Sequence, residues 1–390
     1  MKILHVTRER AADQRYGLGR SLAPILDALQ QRGHSVSYIC QEDLGPKSLA
    51  WVGKLNRSLH RLLPVRSTNT QWDYLIAGLT ERLNMGRVAA KLARSGRYTH
   101  VHFHDPFMAF GYRLFRGIRF DQVRWGFTEH GYGSYTQAFH EDGAILGTDA
   151  FFLMRALERR ITLKAHWVFS PTRSSLAQLQ RDLGLYPQPA HCHVVPHAKP
   201  LMPKMDKRLA REALGWSQDK TYVLAVGRLV EIKNFPLIFR AFKALEQPHL
   251  SLVIMGEGDR DVLFDLARSL GFEDRLIMTS DLSMAAYYSA ADLYISGSRS
   301  ESFGLANLEA MTFGLPIIST LVGGVPDVLS SAAHWVPSDD VDAMAHALNK
   351  LIEDDDHRQA LRTIALERAQ AWPDSQAIAE RYESIYQHAV

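Results

Sequence analysis

Residues 298–311 read Ser298-Arg299-Ser300-Glu301-Ser302-Phe303-Gly304-Leu305-Ala306-Asn307-Leu308-Glu309-Ala310-Met311. Gly314-Leu315-Pro316 and Val322-Gly323-Gly324-Val325-Pro326-Asp327 follow. The apolar run Leu293-Tyr294-Ile295-Ser296 ahead of them has the character of a buried strand, and Gly304 stands where a helix would open. Glu301 then falls in the loop at the strand's carboxyl end, and Glu309 more than one turn into the helix. Open α/β sheets bind ligands at that end of their strands. The N-terminus of a helix offers unpaired N–H groups and partial positive charge, which suits a diphosphate. Carboxylates on either side are pure acceptors that match pairs of sugar hydroxyls. The stretch therefore points to a nucleotide-sugar ligand. A second reading is open, with Glu301 an acid favoured near a helix start and Glu309 part of a solvated helical face.

The same rhythm extends along the chain. Apolar runs at Ile3–Thr7, Val36–Cys40, Val101–Phe103, Trp125–Thr128, Trp167–Ser170 and Cys192–Val195 alternate with amphipathic stretches of helical length. A second series follows at Tyr222–Val226, Leu250–Met255, Leu276–Thr279, Leu293–Ser296, Pro316–Ser319 and His334–Val336. Strands alternating with helices of about 10–15 residues predict two doubly wound parallel sheets, an α/β fold with two Rossmann-like domains facing a cleft. The 390 residues suit two cores. The aperiodic stretch Pro196–Pro203 sets the expected boundary, with domains over 1–198 and 199–372. Trp372-Pro373 marks a break before a last helix, 373–390, expected to pack back on the first domain.

Two cysteines, Cys40 and Cys192, each in a strand-like segment, argue against a disulfide scaffold and for a reducing, cytoplasmic compartment. No stretch of about 18 apolar residues is present, and Met1–Thr7 reads as a first strand. Residues 1–200 carry 27 Lys+Arg against 15 Asp+Glu, and residues 201–390 carry 18 against 27. A basic first half suits an anionic partner, such as a phospholipid surface or a phosphorylated acceptor, and charge alone also admits nucleic acid. Lys47–Arg66 holds five basic residues and no acid, interleaved with Leu49, Trp51, Val52, Leu55, Leu59, Leu62 and Leu63. It reads either as an interfacial helix on an anionic membrane or as a helix packing on the core.

Further polar residues follow strand ends. Arg228 and Lys233, after Tyr222–Val226, are placed to neutralise a departing diphosphate. Gly256 and Gly258, after Leu250–Met255, permit close backbone approach, and Asp259 reads as a helix cap. Gly17 and Gly19 lie in a loop over Arg8–Arg20, without the spacing of a dinucleotide fingerprint. His130 follows Trp125–Thr128 within Thr128-Glu129-His130-Gly131, and His104 and Asp105 follow Val101–Phe103. The acids at Asp340, Asp342 and Glu353–Asp356 flank predicted helices and read as caps rather than metal ligands.

Together, Gly227-Arg228-Leu229 with Lys233-Asn234, Gly256-Glu257-Gly258, Ala291-Asp292, the Glu301-x7-Glu309 pair, Gly314-Leu315-Pro316 and Gly323-Gly324-Val325-Pro326 resemble the retaining GT-B glycosyltransferases of family 4. The resemblance is dense over residues 220–330 and thinner before them. It implies that Arg228 and Lys233 hold the donor diphosphate, Glu301 the sugar hydroxyls and Glu309 the ribose. It further implies that Gly304, Leu305 and Ala306 offer backbone N–H groups, and that His130 lies beside the reacting centre. Gly17 and Gly19 fall in the region of the family's first glycine-rich loop. Pro196-His197-Ala198-Lys199 departs from the family's usual Pro-Asn-Gly-Val. The implied activity is transfer of a hexose-type sugar to an acceptor hydroxyl with retention, requiring no metal or other cofactor. A glycan or lipid-linked acceptor of bacterial lipopolysaccharide or surface polysaccharide synthesis is expected, with no nucleic-acid partner. A non-catalytic glycan binder, a nucleotide-sugar epimerase and a phosphorylase are the alternatives.

Overall fold

The computed structural model describes residues 1–8, 17–62, 70–117, 122–141, 148–245, 247–281 and 283–389. The chain forms two compact units, Met1–Ala198 with Asp374–Val390, and Lys199–Pro373.

The first unit holds a six-stranded parallel sheet of β1 (Lys2–Val6), β2 (Ser35–Ile39), β3 (His100–Phe103), β4 (Arg124–Thr128), β5 (Trp167–Ser170) and β6 (Cys192–Val194). Their order is β2-β1-β3-β4-β5-β6. The second unit repeats the plan with β7 (Thr221–Val226), β8 (Leu250–Met255), β9 (Leu276–Thr279), β10 (Leu293–Ser296), β11 (Ile317–Thr320) and β12 (Ala333–Val336). Here the order is β12-β11-β10-β7-β8-β9. These are the two common doubly wound orders, and each reverses direction at one place: between β1 and β3, and between β7 and β10. The expected pair of parallel sheets is present. Helices cover both faces, so the strands read as unbroken apolar runs.

In the first unit the core centres on Trp125 and Trp167, neither of which reaches solvent. A methyl group on Gly126 would lie 2.2 Å from the Trp167 carbonyl oxygen, so only glycine lets β4 and β5 pair at that point. The helices Thr70–Gly96 and Pro106–Phe115 approach through Gly86, whose added Cβ would meet the Met108 carbonyl at 2.3 Å. The C-terminal helix Ser375–His388 belongs to this unit. Tyr386, fully buried, packs on Trp167 with ring centroids 4.7 Å apart, and Arg32 holds Glu383 at 2.6 Å.

Local chemistry sets the helix limits. Asp206 caps Lys207–Leu214 by accepting from the Leu209 N–H at 3.1 Å, and Gly215 ends that helix left-handed. Asp340 and Asp354 cap helices Val341–Glu353 and Asp355–Ala371 at the Ala343 and His357 N–H groups. Asp292 of the Ala291-Asp292 motif holds Arg211 at 2.6 Å and accepts from the Tyr222 N–H at 2.7 Å, which ties helix Lys207–Leu214 to the sheet. Two expectations need correction. Gly17 and Gly19 lie in the first turn of helix Gly17–Gln31 and not in a loop, while residues 9–16 lie outside the described residues. Asp259 is not the helix cap: it accepts from the Asp261 N–H at 3.0 Å, one residue short of the cap at Arg260.

The basic stretch forms helix Pro46–Leu62, and residues 63–66 lie outside the described residues. It packs on the long helix Thr70–Gly96, where Trp51 lies under the Arg87 guanidinium at 4.7 Å, and Trp51 also meets Phe115, at the end of helix Pro106–Phe115, edge-on. Leu49, Lys54, Arg57 and Arg61 remain exposed.

Candidate active site

In the second unit the sheet reverses between β7 and β10, and the loops leaving these two strands carry the candidate residues. The loop after β7 runs from Gly227 to Asn234 through a 3₁₀ turn at Glu231–Lys233. It lies directly on the loop after β8. A Cβ on Gly256 would fall 1.8 Å from the Gly227 carbonyl oxygen, and the Leu229 N–H donates to the Glu257 carbonyl at 2.8 Å. Gly258, at φ +140, faces the Leu229 side chain. The close approach that Gly256 and Gly258 permit is therefore to the neighbouring loop.

The loop after β10 is clamped to the loop after β7. The Arg299 N–H donates to the Ile232 carbonyl at 2.8 Å, and Asp339 accepts from both Arg299 Nε and Asn234 Nδ2 at 2.9 Å. Asn234 adopts the left-handed conformation that asparagine tolerates. This clamp brings together two residues 68 positions apart: Lys233 Nζ donates to Glu301 Oε2 as an ion pair. Ser298 Oγ reaches the same oxygen at 3.4 Å. The Gly323-Gly324 pair fixes the Glu301 backbone, since the Gly324 N–H donates to the Glu301 carbonyl at 2.8 Å. A Cβ on Gly323 would come within 2.0 Å of that oxygen.

Gly304, at φ +83, opens helix Leu305–Phe313 with no side-chain cap. Leu305 and Ala306 occupy its first turn, where backbone N–H groups have no partner in the helix. Glu309 is buried at 3% exposure, which excludes the solvated-face reading. Its Oε2 accepts from the Tyr288 hydroxyl at 2.8 Å. Burial, with Glu309 and then Glu301 nearby, pushes the Tyr294 phenol well above its ordinary pKa. Arg228 is exposed and makes no ion pair among the described residues.

In the first unit the reversal between β1 and β3 carries a chain of histidines. His5 Nδ1 lies 3.2 Å from His104 Nε2, and His104 Nδ1 lies 2.9 Å from His130 Nε2. The His130 ring stacks on His197 of the Pro196-His197-Ala198-Lys199 segment. Beneath, His102 meets the Tyr386 hydroxyl and Thr128 Oγ1, both at 2.7 Å. Burial lowers these rings: His5 and His130 to about 3, His197 to about 4, and His102 and His104 well below the ordinary value. Beside them, burial and then the Glu158 charge raise the Glu129 carboxyl well above the usual range. Burial carries Glu158 to about 7. Asp105 is occupied structurally, paired with Arg82 at 2.6 Å and capping Pro106–Phe115 at the Phe107 N–H.

Residues 206–368 match the glycosyl transferases group 1 family, and residues 16–198 match the glycosyl transferase 4-like domain. The chain belongs to the family 4 glycosyltransferases of GT-B type. Among relatives of this family 4 member is the D-inositol 3-phosphate glycosyltransferase of Kineococcus radiotolerans. It is 33% identical over 243 residues, or 55% of this chain and 56% of that one. The chain spans about half the length of the curated relatives it matches. WaaG, a glycosyltransferase involved in lipopolysaccharide biosynthesis, shares the fold at TM-score 0.70 and 16% identity, covering 100% of both chains. HepE of Anabaena, solved with UDP-glucose, does so at TM-score 0.70 and 15% identity over 99% of both.

The second unit thus gathers Lys233, Glu301, Gly304 and Glu309 of the family motif around one sheet reversal. Sequence reasoning missed Tyr288, Ser298, Asp339 and the chain from His5 through His104. A tyrosine 21 residues before a glutamate carries no readable spacing. Four histidines, His5 and His102 within strands and His104 and His130 just past strand ends, were a usable signal once the strand order was considered.

Proposed function

We propose that this chain transfers a hexose-type sugar from a nucleoside diphosphate sugar to an acceptor hydroxyl, with the anomeric configuration retained. The observation that carries the reading is the Lys233–Glu301 ion pair, held at the sheet reversal beside an uncapped helix N-terminus. It sets a cation and a sugar-binding carboxylate side by side, as a sugar-diphosphate requires. Glu309, buried on Tyr288, is assigned to the ribose. Leu305 and Ala306 offer backbone N–H groups to phosphate, Gly256 and Gly258 shape the adjoining turn, and Gly17 and Gly19 lie at a helix start in the first unit. His130 is assigned to the transferred sugar.

The reaction proceeds by front-face substitution. The bond from the anomeric carbon to the diphosphate oxygen breaks as the acceptor oxygen bonds on the same face. The departing phosphate oxygen takes the acceptor's proton. Arg228, Lys233 and the helix N-terminus stabilise the negative charge that collects on the diphosphate. These groups supply the positive charge without a metal or other cofactor. HepE is named with UDP and UDP-glucose, which favours a uridine donor. The basic first half, the exposed cations of helix Pro46–Leu62 and the likeness to WaaG favour a lipid-linked or lipopolysaccharide acceptor at the inner face of a bacterial cytoplasmic membrane. Equal sedimentation with anionic and neutral vesicles would remove the membrane from this reading.

Release of nucleoside diphosphate only when an acceptor hydroxyl is supplied tests the reaction. Conversion of the sugar without acceptor would indicate an epimerase, a requirement for inorganic phosphate a phosphorylase, and binding without turnover a glycan-binding protein. Glu309→Ala is expected to raise the donor Michaelis constant with a smaller change in kcat, and an unchanged constant contradicts the ribose contact.

A further inference from the structure

Tyr288 sets a phenol against the Glu309 carboxylate from a neighbouring helix, Met284–Ala290. Glu309 and Phe313 lie four residues apart on helix Leu305–Phe313 and so share a face. The Tyr288 ring covers that face. It stacks on Phe313 with centroids 5.3 Å apart at 23°, and only 1% of the residue reaches solvent. Apolar packing accounts for the ring, and phenylalanine would fill the same space. It does not account for the hydroxyl, which needs a polar partner when buried.

That hydroxyl has two acceptors in reach, Glu309 Oε2 at 2.8 Å and the Ala306 carbonyl at 3.3 Å. A phenol has one proton to give, and the shorter bond, to a carboxylate, is the stronger. Tyr288 thereby holds one oxygen of a side chain that is itself only 3% exposed. A carboxylate has about four acceptor sites, so accepting from a phenol does not exhaust it. Further acceptor capacity suits the neighbouring hydroxyls of a ribose. A carboxylate whose plane is set beforehand meets that diol without the cost of ordering a rotamer-rich side chain on binding.

We propose that Tyr288 is a positioning residue that holds the Glu309 carboxylate in register for the ribose hydroxyls of the donor, and so sets nucleotide affinity rather than the rate of transfer. The inference rests on the assignment of Glu309 to the ribose.

Tyr288→Phe removes one oxygen and keeps the ring on Phe313. Calorimetric titration of the full chain with UDP, and with 2′,3′-dideoxyuridine diphosphate, which lacks both ribose hydroxyls, reads the role without turnover. Tyr288→Phe should weaken UDP about tenfold and leave the affinity for the dideoxy nucleotide unchanged. Added to Glu309→Ala, it should weaken UDP no further, because the group it acts through is gone. With a sugar donor, the donor KM should rise by about the same factor while kcat stays within about twofold. Unchanged UDP affinity in Tyr288→Phe overturns the proposal. So does an equal loss for both nucleotides, which is what disturbed packing would give, or full additivity with Glu309→Ala. If GDP or ADP is the nucleotide bound, the same comparison is made with its dideoxy form. Binding of none of the three overturns the nucleotide-sugar reading and this inference with it, a result distinct from a bound nucleotide indifferent to Tyr288.

Discussion

Lys233→Met is expected to lower turnover by about 100-fold or more, the scale of losing one preorganised electrostatic donor. Its effect on stability should be small. The Lys233–Glu301 pair keeps contact with solvent, with side chains 23% and 17% exposed. Pairs of that kind contribute about 0.2–1 kcal/mol, or a few degrees of melting temperature in a domain of this size. A loss of activity far beyond the loss of stability therefore reports on charge at the diphosphate. Glu301→Gln keeps the shape and removes the charge that Lys233 faces in the free protein. If the two residues act as a unit, the double variant should be no worse than the poorer single one. Near-full activity in Lys233→Met would contradict the role, and strict additivity would show that the ion pair is incidental to the chemistry.

The fold was legible because buried parallel strands are written as continuous apolar runs. Leu276–Thr279 and Leu293–Ser296 coincide with β9 and β10, and Pro316–Ser319 shifted by a single residue to Ile317–Thr320. The Glu301-x7-Glu309 motif was legible because both acids are referred to one strand end and one helix. What escaped depends on strand order, which periodicity does not carry. Lys233 meets Glu301 only because β7 and β10, separated in sequence by β8 and β9, are neighbours in the sheet. The histidine chain forms because β3 pairs with β1 and sets His102 opposite His5. Gly256 was read as a surface for a ligand, yet the atom that excludes its side chain is the Gly227 carbonyl, one strand away. Gly17 and Gly19 were read as loop because glycine is a poor helix former. At the start of a helix that penalty is small, and Gly19 is buried against the unit.

Acid should unfold the first unit well before the second. His5, His102, His104 and His100 are buried, and burial lowers all four, His5 to about 3 and His100 to about 4. Their folded pKa lies below the ordinary 6.5, so the unfolded chain binds more protons below that pH. Stability is then fully present above about 6.5 and falls as pH drops toward 3. Glu158, raised to about 7, and Glu129, raised well above the usual range, act oppositely and stabilise the fold as pH drops from about 7 toward 4.5. Each fully titrating group changes stability by about 1.4 kcal/mol per pH unit. The lowered histidines outnumber the two raised glutamates, so the net effect is a loss of stability as pH falls between about 6.5 and 4.5. His130, lowered to about 3, and His197, lowered to about 4, act in the same direction. Domains of this kind are stable by only about 5–15 kcal/mol in all, so this unit is expected to lose its structure in mild acid. Among the described residues of the second unit the one lowered histidine is His334, half-buried beside His357. Hydrogen exchange read peptide by peptide across pH 7 to 4 separates the two. Early loss of protection in β1, β3 and β4 with β7, β8 and β10 intact is the expected pattern. Persistence of the first sheet to pH 4, or simultaneous loss of both, would show that the buried histidines do not govern its acid stability.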